Sequence, residues 1–397
     1  MSSPLPAMAA SEAGATGLPA RSQIAFLAGE ASGDLLASLV LPELARRSPA
    51  DELVGIGGDR MMAAGLVPWH HSRELAVRGY VEVLRHLPRL FALRRSLAQR
   101  LTAQPPRAFV GVDAPDFNLG LELKLRAAGI PTVHFVSPSI WAWRPERIDT
   151  VRRAVDHMLL IFPFEQKIYD DAGLRSTYIG HPLARVIPMV PDESAARARL
   201  GIAPHGSWVA ILPGSRADEV RWCGPAFFAA AEQMLATDAS LKFLVPAADA
   251  ERRAQIDALL AIHPKLAAAS TLTDGRSHDV LEAADAVLVA SGTATLEAAL
   301  YKKPMVISYL MPRFSAWIMR RKGLIPWVGL PNILAGEFLV PELLQQDATP
   351  ERIARAMLDQ LDAGRRAQLV ERFSAMHESL TRDTPALAAE AILATAR

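Results

Sequence analysis

The chain has 397 residues, more than one ordinary core organises, so two or three domains are expected. Half of the residues are hydrophobic and 21% are charged, and 43 basic against 42 acidic side chains leave a net charge of +1, which excludes a broadly basic nucleic-acid-binding protein. One cysteine, Cys223, excludes an intrachain disulfide and a multi-cysteine metal site, fits a reducing compartment and reads as an inert thiol.

Residues 1–22 are rich in Ala, Ser, Gly and Pro, with only Glu12 and Arg21 charged. They lack the basic start and apolar run of a signal peptide and read as a disordered tail. No later run is apolar for the roughly 18 residues that a spanning helix needs. Short apolar runs at Ile24–Ala28, Ala108–Val112, Thr132–Val136 and Met158–Phe162 read as buried strands, and a helical pattern runs from about Leu35 to Arg47. Such strands, separated by helices, imply a parallel sheet covered on both faces. The proline-rich stretch Ile187–Pro191 reads as a linker. The pattern then restarts, with strands expected at Trp208–Leu212, Phe243–Val245, Ala286–Ala290 and Met305–Ser308. The expected organisation is a first Rossmann-like domain over 23–185, a second over 186–360, and helices over 361–397 that pack back on the first.

Ligands of open parallel sheets bind beyond the carboxyl ends of the strands, where the informative loops of this chain lie. Gly29-Glu30-Ala31-Ser32-Gly33-Asp34 is glycine-rich but acidic, which suits sugar hydroxyls better than a diphosphate; Ser32 or Asp34 is alternatively a helix N-cap. Asp113-Ala114-Pro115-Asp116-Phe117-Asn118 gathers two carboxylates and an amide at a strand end. Asp113 is the better-placed general base, with Asp116 orienting it or capping the next helix. His134 reads as a core or cleft residue, Trp141, Trp143 and Arg144 as cleft lining or core, and His181 as a residue near the cleft.

In the second half, Pro213-Gly214-Ser215-Arg216 pairs a flexible backbone with an arginine suited to phosphate. Ser291-Gly292-Thr293 opens a helix whose free N–H groups would receive a diphosphate. Glu297, one turn further on, accepts from ribose hydroxyls or caps the helix start. Asn332 lies in the apolar segment Leu330–Gly336 as a ligand contact or a turn residue. Gly55-Ile56-Gly57-Gly58-Asp59-Arg60 begins like a dinucleotide fingerprint, but Arg60 replaces its third glycine, and no P-loop is present. No metal-ligand spacing occurs, so neither a metal nor another cofactor is expected.

Two stretches carry no acid. Val83–Val112 holds six arginines, Arg85 and Arg89 among them. Its Leu90, Leu93, Leu97 and Leu101 form a core-facing stripe, while Val83, Leu84, Leu87 and Phe91 remain without an obvious partner. Ala298–Gly336 repeats the basic and aromatic theme. Such stretches are solvated helix faces or, as their recurrence in both halves favours, contacts with an anionic lipid surface.

The ordered motifs Gly29–Asp34, Val110–Asn118, Val136–Arg144, Leu212–Arg216, Ser291–Glu297 and Leu330–Gly336 together resemble the lipid-A-disaccharide synthases over roughly residues 23 to 375. The departures are conservative, such as Ala31 where Thr is common and Thr295 where Ala is common. The resemblance implies the GT-B architecture of two Rossmann-like domains around a cleft. It implies inverting, metal-free transfer from UDP-2,3-diacylglucosamine to 2,3-diacylglucosamine 1-phosphate, giving a lipid A disaccharide 1-phosphate and UDP. Asp113 would be the base. Gly214, Ser215, Arg216, Ser291, Gly292, Thr293, Glu297 and Asn332 would hold the UDP portion. Glu30, Ser32, Gly33, Asp34, Asp116 and Asn118 would belong to the cleft on the acceptor side. A cytoplasmic enzyme peripherally attached to the inner membrane is implied; no nucleic-acid partner is expected, and the choice between monomer and homo-oligomer stays open. The competing readings are another GT-B enzyme, such as a UDP-N-acetylglucosamine 2-epimerase or a peptidoglycan glycosyltransferase, and a membrane-surface protein with a vestigial nucleotide site.

Overall fold

The computed structural model describes residues 22–75 and 80–397. Seven strands form the first sheet: β1 (Gln23–Ala28), β2 (Glu52–Gly57), β3 (Val67–His71), β4 (Ala108–Val112), β5 (Thr132–Phe135), β6 (His157–Leu160) and β7 (Ser176–Tyr178). Six form the second: β8 (Trp208–Leu212), β9 (Lys242–Ala247), β10 (Ser270–Asp274), β11 (Ala286–Val289), β12 (Met305–Tyr309) and β13 (Glu342–Leu344). The strand orders are β3-β2-β1-β4-β5-β6-β7 and β10-β9-β8-β11-β12-β13, and neighbouring strands pair in parallel.

The two orders are the same Rossmann-like sequence, running outward from β1 in one direction and then from β4 in the other, with β8 and β11 as their counterparts. Each sheet therefore has one point where the winding reverses, and a crevice opens there beyond the strand ends. The inner strands are buried along their length, as continuous apolar runs on a sheet covered on both faces must be.

The helix expected from Leu35 to Arg47 is two helices, Ala31–Ser38 and Leu41–Arg47. Pro42 has no N–H to donate, so it opens the second helix rather than continuing the first. The helix Tyr80–Ala103 buries Leu97 and Leu101 against β1, β2 and β4, while Leu90 and Leu93 are half-buried. The side chains of Val83, Leu84, Arg85 and Leu87 on that helix lie outside the described residues. Phe91 is 54% exposed, and Arg89 extends towards Glu74 at 3.8 Å.

The end of the chain crosses back to the first sheet. The helix Thr384–Leu393 packs against β6 and the helix Leu41–Arg47. Thr384 Oγ1 donates to the Ile179 carbonyl at 2.8 Å, and the Arg397 amide to the Arg107 carbonyl at 3.1 Å. Among the described residues no helix is long and apolar enough to cross a membrane.

Candidate active site

The four motif loops follow β1, β4, β8 and β11, the strands that flank the two reversal points. Topology thus places them in equivalent positions on two sheets. Glu30, after β1, feels charges on the loops after β4 and β8. It is solvent-exposed at the end of β1, yet crowded enough that loss of hydration raises its pKa. The Asp113 charge raises it further and the Arg216 guanidinium, from the second sheet, opposes both.

Asp113 is half-buried at the end of β4 and accepts a hydrogen bond on Oδ2 from Ser32 Oγ at 3.0 Å. Its backbone is left-handed, φ 53°, and so is that of Ala114, φ 43°. Two consecutive non-glycine residues in that region cost about 1–2 kcal/mol each, a cost the surroundings must sustain. The Asp113 amide donates to the Phe135 carbonyl at 2.9 Å, and Asn118 Nδ2 donates to the Asp113 carbonyl at 2.8 Å. The turn lifts the carboxylate out of the sheet and delivers the chain to Pro115, the first residue of the next helix.

The other first-half residues divide. Gly33 lies under the site, where a Cβ would stand 3.2 Å from the Val112 carbonyl, so a glycine brings the helix Ala31–Ser38 close to β4. Asp34 is buried and accepts from the amides of Gly58 at 2.6 Å, Met61 at 3.1 Å and Arg60 at 3.2 Å. Its carboxylate closes the start of the helix Asp59–Ala63 and is turned away from solvent. Asp116 is exposed and pairs with Arg147 rather than with Asp113. Asn118 is fully buried beneath the turn, and its amide tethers backbone.

In the second half Gly214 has φ 127°, and a Cβ there would lie 2.3 Å from Glu219 Cβ, so the turn after β8 requires glycine. Glu219 Oε2 accepts from the amides of Ser215 at 3.0 Å and Arg216 at 3.1 Å. Sequence reading passed over Glu219, although its place three residues after Arg216 is the spacing of a capping carboxylate. It fixes the loop and leaves the Arg216 side chain 74% exposed, with one contact to Glu219 Oε1 at 3.1 Å.

The helix Thr293–Leu300 starts from Gly292, φ 136°, and no side chain caps it. Thr293 is exposed, and Ser291 Oγ donates to the Val328 carbonyl at 3.2 Å. Uncapped first-turn N–H groups with the positive end of the helix dipole form an anion receptor. The Glu297 carboxylate makes no hydrogen bond among the described residues, and burial raises its pKa against the opposing charge of His278. Asn332 is fully buried. Nδ2 donates to Val340 O and Glu342 Oε1, and Oδ1 accepts from the Val340 amide, all within 2.9 Å. Both its donors are spent on the loop, so its observed part is to hold Leu330–Gly336 against β13.

The Ser137–Arg144 loop joins the two halves, for its Ala142 carbonyl accepts from the Leu324 amide at 3.0 Å. Beneath it Trp141 Nε1 donates to the buried Glu165 at 3.0 Å, a partner that sequence reading also missed, and Trp143 lies outside, 39% exposed under the guanidinium of Arg144. His181 is buried beside Phe162, and burial lowers its pKa to about 4. Cys223 is buried, with its thiol pushed up to about 11. Among the described residues no three His, Cys, Asp or Glu side chains gather as metal ligands.

Comparison with known proteins fits this geometry. The family model described as lipid-A-disaccharide synthetase matches residues 24–392. A lipid-A-disaccharide synthase from Cupriavidus pinatubonensis is 57% identical, covering 94% of this chain and 93% of that one. One from Paraburkholderia xenovorans is 53% identical, covering 94% and 96%. Among solved structures, a calicheamicin glycosyltransferase superposes with TM-score 0.61 at 16% identity, covering 95% of this chain and 98% of that one. Anabaena HepE, in complex with UDP and glucose, gives TM-score 0.55 at 14% identity, covering 94% and 100%. At such identities these structures speak for the two-domain glycosyltransferase fold alone. The match along nearly the whole chain carries the rest: the chain belongs to the lipid-A-disaccharide synthetase family, whose glycosyl transfer forms the disaccharide of lipid A.

Proposed function

We propose that Asp113 is the general base of this transfer, that UDP-2,3-diacylglucosamine is the donor and that 2,3-diacylglucosamine 1-phosphate is the acceptor. The observation that carries the reading is the Asp113 carboxylate itself, held by Ser32 at the end of β4 and close enough to Glu30 and Arg216 for one field to join all three. The acceptor 6-hydroxyl oxygen attacks C1 of the donor sugar as Asp113 takes its proton. The C1–O bond to the diphosphate breaks, and UDP leaves with the electron pair, so the anomeric centre inverts. Arg216 and the uncapped N–H groups at Gly292–Thr293 receive the growing negative charge, and Glu297 receives the ribose. Glu219 and Asn332 hold the loops on which these groups stand, and Asp34 and Asn118 do the same on the acceptor side.

Replacing Asp113 by Asn removes the base and keeps the shape. Disaccharide formation is expected to fall at least about 10²-fold, with UDP affinity unchanged. Turnover near the parent value would remove Asp113 from this role.

Both substrates carry acyl chains, and we propose that Val83, Leu84, Leu87 and Phe91, with Arg85 and Arg89, rest on the inner-membrane surface on its cytoplasmic side. Exposed Phe91 supports this, as do the basic side chains around it, which complement anionic headgroups. Changing the four apolar residues to Ser should weaken co-sedimentation with anionic vesicles while disaccharide formation from detergent-dispersed substrates persists. Unchanged co-sedimentation would return the segment to the core.

A further inference from the structure

The floor of the Asp113 turn is polar where a hydrophobic core is expected. Asn118, Glu122 and His134 are each fully buried. His134 Nδ1 and Glu122 Oε1 are 2.7 Å apart. The Glu122 and Asn118 side chains depend on Gly111, the β4 residue in register with His134. A Cβ at position 111 would stand 2.1 Å from Glu122 Oε1 and 3.1 Å from Asn118 Cβ and Cγ, so the glycine makes the space that Asn118 and Glu122 share. Four residues apart on the helix Pro115–Ala127, they stand on one face of it.

From that place Asn118 Nδ2 reaches three carbonyls: Asp113 at 2.8 Å, and Val112 and Leu27 at 3.4 Å. These are the ends of β4 and β1, the strands between which the sheet reverses. The amide therefore fastens the left-handed peptide at Asp113 to the frame that carries Ser32, the carboxylate's hydrogen-bond donor.

The cluster is a poor stability device. Asn118 Oδ1, Glu122 Oε2 and His134 Nε2 make no hydrogen bond with any described residue. Apolar side chains of the same volume generally serve a core as well as or better than a buried ionisable pair. Buried polar groups with unfilled bonding capacity and left-handed non-glycine backbone collect where geometry is under selection.

We propose that Asn118, Glu122 and His134 are positioning residues for the transfer. The Glu122–His134 pair sets the pose of Asn118, and Asn118 fixes the peptide that aims the Asp113 carboxylate. This rests on the reading of Asp113 as the base.

The test uses the full chain with acylated donor and acceptor in detergent, and records kcat, both KM values and Tm. Misplacing a base by about an ångström costs up to about 10²-fold, so Asn118→Ala and Glu122→Ala are expected to lower kcat about 10- to 100-fold. Because the three side chains are fully buried and reach substrate only through Asp113, both KM values should stay within about twofold. Glu122→Gln keeps the shape and an acceptor for His134, and should restore kcat to within about threefold of the parent, which a charge-dependent role would not allow. A fall in Tm with kcat within about twofold of the parent would overturn the proposal, as would kcat and KM worsening together. Should Glu122→Ala fail to fold, Asn118→Ser decides by the same criterion. Asp113→Asn run in parallel separates the two readings. Activity there removes the base; an inactive Asp113→Asn beside an unimpaired Asn118→Ala removes only the positioning role.

Discussion

Glu165 is buried beneath the Ser137–Arg144 loop, where Trp141 Nε1 and the Phe162 amide donate to its two oxygens. Loss of hydration outweighs these bonds and lifts its pKa from 4.5 to about 7. The folded protein thus holds a proton that the unfolded chain gives up near pH 4.5. The associated stability is complete below that pH and is lost as the pH rises through about 7. Glu165→Gln should remove this dependence. Between pH 4.5 and 7 the parent Tm is expected to fall relative to the variant, and a constant difference across the range would show an ordinary carboxyl. The same residue supports Trp141 in the loop that bonds to Leu324, so the titration is felt where the halves meet.

At the scale of elements, the helix Thr293–Leu300 separates binding from stability. Its first turn is uncapped, which leaves free donors for an anion. Thr293→Asp puts a carboxylate there. It should hold or raise Tm, because acid near a helix start is favourable by about 0.3–1 kcal/mol, while repulsion of the diphosphate weakens UDP binding. Titration calorimetry with UDP checks this, and unchanged affinity would place the diphosphate elsewhere. Elements also differ in how plainly the sequence announces them. Strands β1, β4, β8, β11 and β12 are mainly apolar runs, and β5 and β6 are buried with a polar residue or two among apolar ones, because neighbours and helices bury both faces. The edge strands β3, β7, β10 and β13 are partly exposed, and residues such as Pro68, Thr177, Thr273 and Glu342 break any apolar signal. Site loops were readable because glycines and carboxylates cluster after the inner strands. Whether a polar residue faces ligand or backbone was not: Asp34 and Asn332 look like ligand contacts in sequence and are held by amides and carbonyls of their own chain. Composition does not say which way a side chain turns. His134 and Glu122, twelve residues apart, meet only because β5 lies beside β4.

Across the whole molecule, the chain's end adds contacts between the halves. Lys302 Nζ lies 2.5 Å from His377 Nδ1 and also donates to the Pro188 carbonyl at 3.3 Å, and burial lowers its pKa to about 8. His377 Nε2 reaches the Ala184 carbonyl at 2.7 Å, which ties the helix Ala363–Leu380 to the segment between the sheets. The helix Thr384–Leu393 then covers the first sheet with Ala388, Ala389 and Ile392, all fully buried. Deleting residues 384–397 uncovers that surface. At roughly 25 cal/mol per Å² of apolar area, the loss of a buried face is expected to lower Tm by several degrees and to expose dye-binding surface. An unchanged melting curve would show that the helix contributes little.

This return of the chain has a consequence for biosynthesis. A ribosome releases residues 23–185 before the second sheet, but the cover for β6 and for the helix Leu41–Arg47 is encoded after both sheets. During translation the first sheet, though its strands are contiguous in the message, waits with an apolar face open until the helix Thr384–Leu393 has been made. The order of synthesis and the order of completion are therefore reversed, and a nascent chain stalled before Thr384 is a natural target for chaperones.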